Sequence, residues 1–333
     1  MKHLTTLLLV VLALGFFGCQ SNKKYEGMPK ELAALCKQID KHPKNAEFYY
    51  QRADYYYFHK NIDKGIADMQ QAIKLQPDSS KYYVKLSDLY FAQHETDLAE
   101  EMLQKAISKQ KDNNEARLKL AELYFHQHML NDCSKTLEEA LALQKYNPKA
   151  YLIKAFMLKE QQDTVGYLRM LQLVIDQDPK EVKAYLELGY FYQQKMDPLA
   201  ISYYENALNV DPQNVEILTN LGKMHQDMGE IEKAEQRYQA AIDVDPTYIP
   251  ALNNLGYIYL DDELARYDDA VKLFTQAIKA NPNLAYLYCN RGLAYESLEK
   301  YDLARKDYEK SLKLHTNFEP AILGLNRLDK KQK

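Results

Sequence analysis

The sequence predicts an all-α chain, a solenoid of short paired helices, and three observations predict it. Small residues recur at a fixed interval: Ala53, Ser87, Ala121 and Ala155 stand 34 residues apart, and Gly189, Gly222, Gly256 and Gly292 continue at spacings of 34, 33, 34 and 36. Within each interval apolar residues recur at i, i+3, i+4 and i+7, the period of a helix with one buried stripe. Proline punctuates the same register at Pro43, Pro77, Pro179, Pro212, Pro246 and Pro282, mostly after Asp or Asn. Proline removes a helical N–H and disfavours helix at the residue before it, so each one marks a stop.

The first element is an address. Met1-Lys2-His3 supplies a short positive start, and Leu4 to Phe17 form an apolar run of 14 residues. Such a run suits a secretory signal of ~7–15 residues and falls short of the ~20 that span a bilayer. We assign residues 1–18 to this signal. Residues 19–28, Cys19 followed by QSNKKYEGM, read as a polar tether. At ~3.3–3.6 Å per residue the nine residues after Cys19 reach at most ~30 Å. The other cysteines, Cys36, Cys133 and Cys289, are odd in number, far apart and set in helical apolar patterns. They read as small buried hydrophobes rather than a disulfide framework.

A lone helix is expected next, within residues 29–45, where PKELAALCKQIDKH has the pattern of the second half of a pair. Residues 46–318 then hold eight pairs, beginning near Ala46, Ser80, Asn114, Pro148, Val182, Val215, Ile249 and Ala285. The stretch 215–248 shows the plan. VEILTNLGKMHQDMG forms the first helix, Gly229 and Glu230 the turn, and IEKAEQRYQAAIDV the second helix, stopped at Asp245-Pro246. Gly222 and Ala234 are expected where the paired helices cross closely. Residues 319–333 read as a closing helix with charge on its outer face. An array needs polar ends because each unit buries its apolar face only against neighbours.

These 34-residue units resemble the tetratricopeptide repeat, most closely at 215–248 and 285–318. The resemblance implies a right-handed α-solenoid whose first helices line a concave face that binds an extended peptide or a partner helix. Three places depart from the family pattern: Tyr167 is large where a small residue is usual, the turn at Pro198 is one residue short, and DDELARYDDA (261–270) carries two extra residues. Gly18-Cys19 resembles the end of a bacterial lipobox, although Phe16 and Phe17 stand where the family prefers Leu and a small residue. That resemblance implies acylation (palmitate among the chains) of Cys19. Gln20, in place of an inner-membrane-retaining Asp, implies an outer-membrane site facing the periplasm of a Gram-negative envelope.

Composition excludes several functions. Lys and Arg number 43 against 47 Asp and Glu, a net charge of −4. That near-neutral balance argues against a dedicated nucleic-acid binder, which needs a basic face to neutralise phosphates. No glycine-rich phosphate loop, GxSxG elbow or HExxH pair occurs, so no catalytic residue, no cofactor and no enzyme activity is expected. His126, His128 and Cys133 are a candidate metal cluster only in name: Cys133 falls at a small core position and His128 at a turn, so no metal is expected. The places used by basic clamps for a terminal carboxylate hold Tyr50, Asp54, Lys85, Glu115 and Lys119, which are only partly basic.

Binding is the class that remains. Asn220, Asn254 and Asn290 share one position in three successive units, and their amides can donate to and accept from a peptide backbone. They resemble the asparagine ladder of certain long tetratricopeptide superhelices. Lys223, Tyr257 and Tyr286 lie beside them and are expected to select side chains. Leu152, Ile153, Phe156, Leu186 and Tyr190 are expected to form an exposed apolar patch, and Tyr57, Phe91 and Phe125 an aromatic row. The expected function is a membrane-anchored scaffold or adaptor that recruits a periplasmic protein or peptide to an envelope complex. It resembles the tetratricopeptide lipoproteins serving secretin assembly, outer-membrane protein insertion and cell-wall hydrolase regulation. The alternative is a permanent structural subunit of a secretion, gliding or outer-membrane assembly machine. A permanent interface is larger and more apolar than a transient groove.

Overall fold

A computed structural model describes residues 24–331. The signal segment and the expected lipidation site, Cys19, lie outside the described residues. Among the described residues there are eighteen α-helices and no strand. None of these helices is long and apolar enough to cross a membrane. The chain divides into two compact units, residues 1–163 and 164–333.

The first unit contains α1 (Lys30–Lys41), α2 (Ala46–Phe58), α3 (Ile62–Leu75), α4 (Ser80–Ala92), α5 (Thr96–Lys109), α6 (Asn114–His126), α7 (Leu130–Leu143) and α8 (Pro148–Glu160). The second contains α9 (Thr164–Gln177), α10 (Val182–Gln193), α11 (Leu199–Val210), α12 (Val215–Asp227), α13 (Ile231–Val244), α14 (Ile249–Ile258), α15 (Tyr267–Ala280), α16 (Ala285–Ser297), α17 (Tyr301–Leu314) and α18 (Glu319–Lys331). Within each unit α2/α3, α4/α5, α6/α7, α10/α11, α12/α13, α14/α15 and α16/α17 are packed pairs.

Local chemistry starts and stops these helices. Asn45, Asn113, Asn147 and Asn214 cap α2, α6, α8 and α12, their side-chain oxygens accepting first-turn N–H groups. Such caps satisfy donors that a helix start leaves unpaired, worth ~1 kcal/mol each. The turn after each first helix, α2, α4, α6, α8, α10, α12, α14 and α16, holds one left-handed residue: Lys60, His94, His128, Gln162, Met196, Gly229, Ala265 and Glu299, with φ between 50° and 77°. Only one of the eight is glycine, the residue for which this conformation carries no steric cost.

The core alternates small against large. In the second unit Tyr204, Tyr238, Phe274 and Tyr308 are fully buried on second helices. Each faces a glycine of its paired first helix. A Cβ on Gly189, Gly222, Gly256 or Gly292 would lie 2.6, 2.8, 2.8 or 2.9 Å from the nearest ring carbon. Gly222 also stands against the Ala234 carbonyl, where a Cβ would lie 3.3 Å from the oxygen. The close crossing expected there is present, and a ring fills it. In the first unit the same two places hold Ala53, Ser87 and Ala121, with Met69, Leu103 and Leu137, all buried.

Tyrosine hydroxyls in this core need partners. Tyr204 donates to Gln193 at 2.7 Å, Tyr238 to Gln226 at 2.8 Å and Tyr308 to Glu296 at 2.8 Å. These acceptors occupy one repeat position near the end of each first helix. At that position the seventh pair has Leu260 beside Phe274, so the acceptor disappears together with the hydroxyl.

The end pairs carry a polar substitution. Arg52 binds Asp68 through two hydrogen bonds of 2.7 Å, and Arg291 binds Asp307 through bonds of 2.7 and 2.8 Å. The equivalents of the two arginines are leucine in five of the six interior pairs (Leu86, Leu120, Leu188, Leu221 and Leu255) and Lys154 in the fourth. Helix α18 closes the second unit, where Arg327 and Tyr308 both donate to the buried Glu296 carboxylate.

Tyr167, the large residue at a usually small position, is buried, and its hydroxyl donates to Glu187 at 2.6 Å. One expectation changes. Ile153, expected in the exposed apolar patch, is a core residue at 7% exposure, while Leu152 and Phe156 are half-buried. In the other unit Leu186 is half-buried and Tyr190 is 52% exposed.

Candidate binding surface

In the second unit three successive first helices, α12, α14 and α16, present the asparagine row. All three asparagines are half-buried rather than open to solvent. Asn290 Nδ2 donates to Asn253 Oδ1 at 2.9 Å, and Asn253 Nδ2 donates to Asn254 Oδ1 at 3.3 Å. Asn253, not among the residues expected from the sequence, thus joins two of the three amides. The buried Tyr238 phenol on α13 is pushed up mainly by burial. Asn220 makes no side-chain hydrogen bond among the described residues.

The residues beside the row are accessible. Tyr257 is 56% exposed and Tyr286 lies at the margin of exposure, its phenol pushed up by burial. Lys223 is exposed and ion-pairs with Asp227 one turn on.

Next to this row is a cleft of about 570 Å³. Tyr257, Leu260, Leu264 and Leu293 supply apolar lining, and Glu232, Glu235, Asp261 and Glu263 supply carboxylates. Part of it comes from the two extra residues of the seventh turn. Helix α14 stops at Ile258, and the chain crosses residues 259–266 before α15. Arg266 pins that crossing, its guanidinium 3.8 Å from the Tyr259 ring centroid and its Nη1 2.6 Å from Glu235 Oε1. Tyr259 also donates to Glu235, and burial, followed by this bond, pushes its phenol up. The insertion was visible in the sequence, whereas the cleft beside it depends on this stacking.

On the equivalent surface of the first unit the lysines are paired with carboxylates. Lys85 ion-pairs with Asp54 and lies 4.3 Å from the Tyr57 ring centroid, and Lys119 pairs with Asp88 at 2.7 Å. The basic groups considered for a carboxylate clamp are therefore already neutralised. A cleft of about 190 Å³ lies there, with Phe91, Lys119 and His126 in its lining. Tyr57 and Phe91 are partly exposed and Phe125 is half-buried. His128 Nδ1 is 2.5 Å from Glu160 Oε1 and Cys133 is buried, its thiol pushed up to about 11 by desolvation. Among the described residues no His, Cys, Asp and Glu cluster could hold a metal.

Paired helices repeated at this interval, with a glycine, alanine or serine opposite the large core residue, define a helical-repeat scaffold. The chain belongs to the tetratricopeptide repeat family. Profiles described as tetratricopeptide repeat match residues 46–79, 90–155, 203–236, 249–284 and 285–318, and one described as TPR repeat matches 223–262. A probable UDP-N-acetylglucosamine–peptide N-acetylglucosaminyltransferase SPINDLY from Hordeum vulgare is 26% identical over 163 residues, 47% of this chain but 17% of that protein. Two solved structures share the fold. PilW, titled a widely conserved type IV pilus biogenesis factor, superposes with a TM-score of 0.52 at 16% identity, covering 64% of this chain and 98% of PilW. The anaphase-promoting-complex assembly Cut9–Hcn1 gives 0.52 at 16%, covering 88% of this chain and 57% of that one. The family's repeats are protein-interaction scaffolds, which sets the coarse class of this chain.

Proposed function

We propose that the protein is a scaffold or adaptor, anchored to the outer membrane through acylated Cys19 and facing the periplasm, that holds an extended segment of a protein partner along the first-helix surface of its second unit. The observation that carries this reading is the half-buried amide row, Asn220, Asn254 and Asn290, flanked by exposed Tyr257 and Lys223. Backbone-directed amides supply affinity without regard to sequence, and the flanking side chains select. Asn220 keeps all its hydrogen-bonding capacity, while Asn254 and Asn290 keep part of theirs. The test is affinity capture from native membranes with the wild-type chain and with the Asn220→Ala/Asn254→Ala/Asn290→Ala variant, read by mass spectrometry. A partner retained by wild type and lost by a folded variant supports the reading. A partner retained by both removes it. For the anchor, Cys19→Ser is expected to leave the membrane fraction, and a variant that still partitions into detergent contradicts acylation.

A further inference from the structure

The cleft beside the amide row has an excess of negative charge that the protein does not neutralise. Of the four carboxylates in its lining, Glu235 is bound by Arg266 and Tyr259. Asp261 Oδ1 accepts only the backbone N–H of Glu263. Glu232 and Glu263 are exposed and make no ion pair among the described residues. Three neighbouring cations are spent on other groups or on Glu235: Lys233 pairs with Glu230, Lys272 with Asp269, and Arg266 with Glu235 and Asp269. Between these carboxylates lies an apolar wall that includes Tyr257 and Leu264, both left exposed.

We propose that this cleft receives a lysine or arginine side chain, flanked by an apolar residue, on the extended partner segment. The charge complementarity is direct: the aliphatic stem of such a side chain covers apolar surface while its head reaches the carboxylates. The exposed tyrosine ring offers a cation a second contact. The cleft adjoins the row through α14, which carries both Asn254 and Tyr257, so a chain lying on the amides can place a side chain in it. The proposal rests on the reading that the partner segment lies along this surface, and it adds the chemistry that selects the segment.

Selection of a random-peptide display library against the full chain tests it. Enriched peptides are expected to share Lys or Arg beside Leu, Ile or Phe, and their binding is expected to weaken as salt screens the pairing. Synthesised and labelled, they are expected to bind the Glu232→Gln/Glu263→Gln variant roughly three- to tenfold more weakly, the range two exposed ion pairs support. Melting of that variant should match wild type, since both carboxylates are exposed. Enrichment of peptides without a basic residue, no enrichment, or equal binding to wild type and the Gln variant overturns the proposal. The triple Asn→Ala variant separates the two readings. Lost affinity for every peptide regardless of sequence supports the row, while unchanged affinity there together with loss in the Gln variant leaves the cleft standing and removes the row.

Discussion

The two units solve the same packing problem in opposite ways. Where the first unit sets Ala53, Ser87 and Ala121 at the close-crossing position and uses Met69, Leu103 and Leu137 as the large partners, the second sets glycine there and uses an aromatic ring. Removing one methyl from the first helix makes room for a ring on the second, so glycine and ring form a single device. The hydroxyl of that ring then needs an acceptor at the end of the first helix, supplied by Gln193, Gln226 and Glu296. The exception is Phe274, whose counterpart Leu260 puts an apolar residue into the lining of the acidic cleft. A choice made in the core thus shapes the surface.

The sharpest way to break this comparison is Gly256→Leu. A single Cβ there would already lie 2.8 Å from the Phe274 ring. The loss is expected to exceed ~3 kcal/mol, the top of the usual range for overpacking. Because neighbour interfaces carry an array, limited proteolysis should cut first around α12 to α17. Gly256→Ala combined with Phe274→Leu recreates the first unit's arrangement and should recover much of the stability. If melting and protease resistance of Gly256→Leu match wild type, the glycine–ring device is wrong.

What the units share can be broken next. Arg291→Leu leaves the buried Asp307 carboxylate without its bidentate partner and should cost ~3 kcal/mol, the lower end for a buried pair because Arg291 is partly solvated. Converting Asp307 to Leu as well should restore most of it, since interior pairs carry Leu at the arginine position. A double variant as unstable as the single one would show that the pair itself is required. A smaller effect follows pH. Burial opposes ionisation of Glu296, but hydrogen bonds from Arg327 and Tyr308 outweigh it and hold its pKa below 4.5. The stabilisation is therefore complete above that value and fades as pH falls through the lower folded one. Hydrogen exchange in α18 should accelerate in that acid window, and Glu296→Gln should remove the dependence.

The all-α class was legible because a recurring interval and a helical apolar period are properties of the chain alone. The residues of one face were legible for the same reason, which is how Asn220, Asn254 and Asn290 share a position. Their partners were not, since Asn253 reaches Asn290 only across a neighbouring helix. Ile153 was misplaced because a helix inside a stack buries more than one stripe. The end arginines were open to reading, as Arg52 and Arg291 break a column that holds leucine in five of the six interior pairs.

The difference between the units is tested most directly by photocrosslinking in native membranes. A photoreactive residue replaces Tyr257 or Tyr286 in the second unit and, in parallel, Tyr57 or Phe91 in the first. The expected result is a crosslinked protein partner from Tyr257 and Tyr286 and none from Tyr57 and Phe91, where Lys–Asp pairs already occupy the surface. Crosslinks confined to Tyr57 and Phe91 would contradict the assignment of the partner to the amide row.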